Sequence, residues 1–176
     1  PGWARGEGMT PAPLVASLPD DALVLLIGPS GSGKSSWAAK RFRHDQILSS
    51  DAFRALVAGD AADQSATADA FKVLHLVAKS RLRRGLLTVV DATNLTESAR
   101  RSLLRLARSA ERPTVAVAFD VPLERCLAQN AARSDRRVPE RVVRRHHREM
   151  ANSMERLPAE GYRSIEIVRD GAIGSG

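Results

Sequence analysis

Gly28-Pro29-Ser30-Gly31-Ser32-Gly33-Lys34-Ser35 satisfies G-x-x-x-x-G-K-[ST] at every defined position. The apolar run Leu23-Val24-Leu25-Leu26-Ile27 precedes it and Trp37-Ala38-Ala39-Lys40 follows, so a buried strand feeds a glycine-rich turn and then a helix. That context separates a phosphate-binding loop from a flexible Gly/Ser linker. Glycines let successive backbone N–H groups converge on an oligophosphate, and the helix N-terminus adds positive potential. Gly31, Ser32, Gly33, Lys34, Ser35 and Ser36 are therefore the expected nucleotide cradle. Lys34 is the point charge on the phosphates, and the Ser35 hydroxyl is a ligand for Mg²⁺.

The rest of the chain reads as alternating strands and helices. Strands are expected at Leu23 to Ile27, Gln46 to Ser49, Leu86 to Val90, Thr114 to Phe119 and Ser164 to Val168. The first lacks polar alternation, as a central parallel strand covered on both faces does. A helix should run from the P-loop to about Phe42, and another opens at Ser50-Asp51. A third, from Thr67 to Arg84, carries Phe71, Leu74, Ala78 and Leu82 at helical spacing and stops at Gly85. Asn94-Leu95-Thr96-Glu97 has the spacing of a capping box for a fourth, and Pro122 suits the first turn of a fifth. The last, from about Pro139, has an apolar stripe of Val142, Val143, His146, Met150, Met154 and Leu157. Crossovers of this length give a three-layer α/β sandwich of the P-loop NTPase type, with a five-stranded parallel sheet and a helical lid.

At 176 residues the chain is the size of one domain. The expected organisation is a loose arm over 1–21, a kinase-type domain over 22–170 and a tail over 171–176. Met9 reads as a natural start, and residues 1–8 are expected to be vector-derived. No run has the roughly 18 apolar residues of a membrane span and no signal peptide is visible, so a cytoplasmic protein with no membrane partner is expected. Cys126 lies in an apolar helical pattern and is expected to be a buried core thiol in a reducing compartment. His75 has no His or Cys neighbour at metal-ligand spacing and reads as a surface or core-edge residue.

Twenty-seven Lys and Arg against 20 Asp and Glu give a net charge of +7, which suggests a polyanionic partner beyond the nucleotide. Aromatics make up only 4%, so recognition of such a partner by extensive base stacking is not expected.

Ligands of parallel α/β sheets bind at the carboxyl ends of the strands, and Lys34, Asp51 and Asp91 all sit just past strand ends. Asp51 and Arg54 share a helix face at i and i+3, where they suit a general base and an anion clamp, or alternatively a helix cap and a surface ion pair. Asp91 suits a metal-holding acid, or alternatively a turn-forming residue ahead of a helix. Arg133 and Arg136, in a basic segment between two helices, suit lid arginines on the transferred and ATP phosphates, or alternatively part of a solvated helix face.

In this order and spacing, Gly28 to Ser35, Ser49-Ser50-Asp51-Ala52-Phe53-Arg54, Val90-Asp91-Ala92-Thr93-Asn94 and Arg133-Ser134-Asp135-Arg136 resemble the polynucleotide 5′-hydroxyl kinase family. The kinase module of bacterial polynucleotide kinase-phosphatases is especially similar. The resemblance spans about residues 22–168. It implies transfer of the ATP (or other NTP) γ-phosphate to the 5′-OH of single-stranded RNA or DNA, with Mg²⁺, and phosphatase or ligase modules in a larger protein or pathway. Asp51 would be the general base, Arg54 the clamp on the acceptor's phosphate, and Gln64 a further acceptor contact. Lys34 and Arg136 would meet the ATP phosphates, and Ser35 the Mg²⁺. The chain departs from the family at Gln129, where a further lid arginine is common. A small-molecule hydroxyl kinase (sugar, antibiotic or toxin-type substrate) shares the loop and the base but needs no polyanion track.

Overall fold

The computed structural model describes residues 18–134 and 137–169. Five strands, β1 (Leu23–Ile27), β2 (Ile47–Ser49), β3 (Thr88–Asp91), β4 (Thr114–Asp120) and β5 (Ser164–Arg169), form one parallel sheet in the order β2-β3-β1-β4-β5. Six helices connect them: α1 (Lys34–Ala39), α2 (Ser50–Ala58), α3 (Thr67–Arg83), α4 (Glu97–Ser109), α5 (Leu123–Ala132) and α6 (Glu140–Arg156). None is long and apolar enough to cross a membrane among the described residues.

β1 is fully buried because it lies at the centre of the sheet with a layer on each side. Leu23, Leu25 and Ile27 join a core with Leu74, Leu82, Leu103 and Met150. Val24 and Leu26, pointing the other way, pack with Trp37, Phe119, Cys126 and Val143. Successive side chains of a strand face opposite layers, so one short apolar run nucleates both cores. α6 contributes to each core, through Val143 on one side and Met150 on the other. It therefore bridges the two layers rather than lying within one.

Several local expectations shift. α1 ends at Ala39, not near Phe42, with Arg41 and Phe42 held by turn bonds to the Ala38 carbonyl. β3 begins at Thr88 and reaches Asp91. Asn94 is not a helix cap: it takes a left-handed conformation (φ 48°) and donates from Nδ2 to the Leu26 carbonyl at 2.8 Å. Thr96 caps α4 instead, accepting from the Ala99 N–H. An Asn tolerates positive φ and can satisfy a strand-end carbonyl, so tertiary pairing overrides the local capping pattern. As expected, Cys126 is fully buried, and half-buried His75 faces the Ser102 hydroxyl at 3.3 Å.

Beneath the loop after β3 lies a polar network that hydrophobic periodicity does not reveal. The fully buried Arg100 donates to Glu160 Oε2 (2.8 Å) and Oε1 (2.5 Å), to the carbonyls of Asn94 and Leu95 (2.9 Å each), and to Ser153 Oγ (3.1 Å). Ser153, on α6, also donates to the Leu95 carbonyl at 2.7 Å. Truncating one partner of such a pair strands a buried charge. Glu160→Ala should therefore lower the unfolding free energy by about 3 kcal/mol in urea denaturation, whereas Arg101→Ala on the exposed face of α4 should change it by under about 1 kcal/mol.

Candidate functional site

Sheet register assembles the site. Leu26 of β1 pairs with Asp91 of β3, which pairs in turn with Ser49 of β2, so three strands end at one level. Lys34 follows β1, Asp51 follows β2 by two residues, and Asp91 closes β3. All three line one cleft of about 660 Å³. Gly31, Gly33, Ser35, Ser36, Arg54, Gln64 and Arg133 also line it. The structure thus brings together every expected site residue except two: Ser32 lies buried beneath the loop, and Arg136 falls outside the described residues.

The loop's shape depends on its glycines. Gly31 and Gly33 have φ of 80° and 87°. A Cβ on Gly31 would sit 2.2 Å from the Cys126 carbonyl oxygen of α5, so no side chain fits there. The Lys34 ammonium is buried and donates to the carbonyls of Gly28 (2.9 Å) and Pro29 (2.7 Å) and to Ser32 Oγ (3.3 Å). Burial lowers its pKa from 10.5 to about 8, against the opposing pull of Asp91. Between those values the folded chain holds fewer protons here than the unfolded chain, so this group favours folding increasingly as pH rises through that window.

Asp91 is not a turn residue. It ends a strand, is almost fully buried, and accepts a hydrogen bond from the Ser35 hydroxyl. Burial raises its pKa, with the Lys34 charge pulling the other way. A hydroxyl beside a carboxylate, both oxygen donors next to the phosphate cradle, fits a Mg²⁺ ion that also takes phosphate oxygens and water. No group of three or more His, Cys, Asp and Glu side chains that could hold a metal by themselves occurs among the described residues.

On the facing side, Ser49 caps α2 through the Ala52 N–H, which leaves Asp51 in the first turn with its carboxylate in the cleft. Asp51 pairs with Arg54 through Oδ1 and lies 3.9 Å from Arg133 through Oδ2. Arg54 is no surface residue: it is 4% exposed and also donates from Nε to the Ala61 carbonyl at 2.9 Å. Asn130 clamps the basic segment at its base, donating to the Val138 carbonyl (2.8 Å) and accepting from the Val138 N–H (3.0 Å). The Gln129 side-chain amide lies between the Gly31 carbonyl and Arg125 Nε; with its nitrogen turned to the P-loop it would donate to the first and accept from the second.

Sequence reasoning did not place His146, Phe71 or Thr67 at the site. His146 leaves the expected apolar stripe of α6 and approaches Ser30 Oγ with Nδ1 at 3.1 Å. Phe71 and Thr67 of α3 face the cleft beside Gln64, and Thr67 Oγ1 is buried with no hydrogen-bond partner. Only the fold brings them to the strand ends.

Residues 23–157 match a family model described as an AAA domain. The chain belongs to the AAA domain family. A search of curated proteins finds no match. Among solved structures, this AAA domain superimposes on a chain of the Pnkp1/Rnl/Hen1 RNA repair complex with a TM-score of 0.66 and 20% identity, covering 77% of this chain and 45% of that one. It matches the AvrRxo1-ORF1:AvrRxo1-ORF2 structure with sulphate ions at 0.66 and 20%, covering 84% and 54%. The Mycobacterium tuberculosis APS kinase CysC, in complex with AMPPNP and APS, matches at 0.50 and 25%, covering 65% and 71%. The chain spans about half the length of the first two. What this chain shares with these structures is the fold.

Protonated Lys34 is the form that attracts phosphate. Affinity for Mg²⁺–ATP should therefore fall as pH rises above about 8, by up to about tenfold per unit, and calorimetric titration from pH 7.5 to 9.5 reads it directly. Lys34→Met should bind weakly with no such slope.

Proposed function

We propose that this domain transfers the γ-phosphate of ATP, with Mg²⁺, to the 5′-OH end of a single-stranded polynucleotide. The observation that carries this reading is the placement of Asp51. Its carboxylate faces the P-loop across one cleft, braced by Arg54 on one oxygen and approached by Arg133 on the other. Phosphoryl transfer asks for alignment and charge neutralisation more than covalent chemistry. Gly31 to Ser36 hold the phosphates, Lys34 and Arg133 offset their charge, and Ser35 with Asp91 hold the ion. Arg136 is a further lid arginine in this reading. Mg²⁺, when bound, neutralises charge on the β- and γ-phosphates and orients them. Asp51 accepts the proton of the attacking hydroxyl, so that the new O–P bond forms as the bond to ADP breaks. Gln64, with Thr67 and Phe71 beside it, lines the acceptor side.

The +7 charge and the exposed arginines 141, 144, 145 and 148 of α6 support a polyanionic acceptor tracked by its backbone. The structural neighbour in an RNA repair complex supports the same class. A small-molecule hydroxyl acceptor is the second reading. It is favoured by the burial of Arg54, whose guanidinium is engaged with Asp51 and the Ala61 carbonyl. In that reading Arg54 positions the base rather than gripping the acceptor.

Kinetics on 5′-OH oligonucleotides with labelled ATP test both the function and the roles. Asp51→Asn should lower kcat by about 10²- to 10⁴-fold and leave ATP affinity within about twofold; full activity would remove Asp51 from the chemistry. For Arg54→Ala, a rise in acceptor KM of about tenfold or more is expected from a charge-assisted contact to phosphate. A loss confined to kcat would make Arg54 a positioning residue for Asp51.

A further inference from the structure

α6 crosses between the two layers at the carboxyl edge of the sheet. Val143 is buried in one core, Met150 in the other, and His146 lies between them with its ring over the P-loop. The neighbouring His147 plays a different part: Nε2 lies 3.2 Å from the Val121 carbonyl, so it donates there and anchors α6 outside the cleft. His146 alone of the two lines the phosphate cradle.

We propose that His146 is a further cationic ligand for the nucleotide phosphates, supplied by α6 rather than by the loop or the basic segment, with Ser30 as its hydrogen-bonding partner when no phosphate is held. This rests on the reading of the cleft as a nucleotide site. Among the described residues, the charged and polar groups that line the same cleft include Ser30 and Lys34 from the P-loop, Gln129 and Arg133 from α5 and the segment after it, Asp51 and Arg54 of α2 and Asp91 at the end of β3, with Glu149 one turn along α6. An oligophosphate held on the loop brings negative charge to the cleft and favours a protonated imidazole there. An imidazole changes charge near pH 6.5, within reach of such a neighbour, whereas lysine and arginine remain charged there. Phosphate binding would then draw a proton onto His146 and couple the seat of α6 to occupancy of the loop.

Calorimetric binding of Mg²⁺–ATP and Mg²⁺–ADP at pH 6.0 and 8.0 tests this. Protonation of the nucleotide itself and of Lys34 is common to all proteins compared, so the ratio of variant to wild-type Kd isolates the imidazole. For His146→Gln, which keeps a hydrogen-bonding group toward Ser30, the ratio should be about tenfold at pH 6.0, the size of one charge-assisted contact, and shrink to about twofold or less at pH 8.0. His147→Gln should give a ratio independent of pH. An equal ratio at both pH values for His146→Gln, including no loss at either, overturns the proposal. Wild-type protein that binds neither nucleotide would instead overturn the reading of the cleft on which it rests.

Discussion

A charged ammonium held in a nearly water-free place is the constraint on which the rest of the site depends. Lys34 sits under the loop with two backbone carbonyls as partners, and its lowered pKa records what burial costs it. Those carbonyls are available only because the loop folds back over the lysine. The loop folds that way only because Gly31 and Gly33 take left-handed conformations, Gly31 pressing against the backbone of α5. The same compactness puts Ser35 against Asp91. A phosphate arriving there would meet donors and charges already in position, which is how a preorganised site stabilises charge cheaply.

The second half of the cleft is built on a different principle. Lys34 is held by backbone, whereas Asp51 is held by side chains: Arg54 from its own helix and Arg133 from beyond α5. Arg54 in turn ties α2 to the Ala61 carbonyl. Asp51 is therefore linked to both Arg54 and Arg133, from opposite sides of its carboxylate. Two hydrogen bonds between Asn130 and Val138 tie the end of α5 to the residues ahead of α6.

Five strands were legible, β1 and β4 most plainly because a parallel strand buried on both faces is an unbroken apolar run, and the P-loop has a fixed spacing; β3, β4 and β5 run one residue beyond their expected ends. Asp91 and Asp51 could be placed from the strand ends alone. Less was visible where tertiary pairing overrules local pattern. Asn94 has the spacing of a cap, yet a strand-end carbonyl captures its side chain. His146 has the spacing of a core residue, yet α6 crosses the layers at that point and turns it to the loop. Arg100 is polar and charged in a helix of strong amphipathic character, and no periodicity foretells that it is fully buried against Glu160. Thr67 and Phe71 read as ordinary helix positions until α3 is set beside the strand ends.

What the fold leaves for chemistry to decide is the acceptor. In the proposed transfer the P-loop, the Ser35–Asp91 pair and Asp51 would serve any alcohol, while the arginine face of α6 and the net charge of +7 would matter only to a polyanion. The most direct measurement is a single reaction panel: γ-labelled ATP and Mg²⁺ with 5′-OH RNA, 5′-OH DNA and small alcohols at equal hydroxyl concentration. The account predicts label on the 5′ ends of the oligonucleotides, with transfer weakening steeply as salt rises. Label on a small alcohol with none on either oligonucleotide would contradict it.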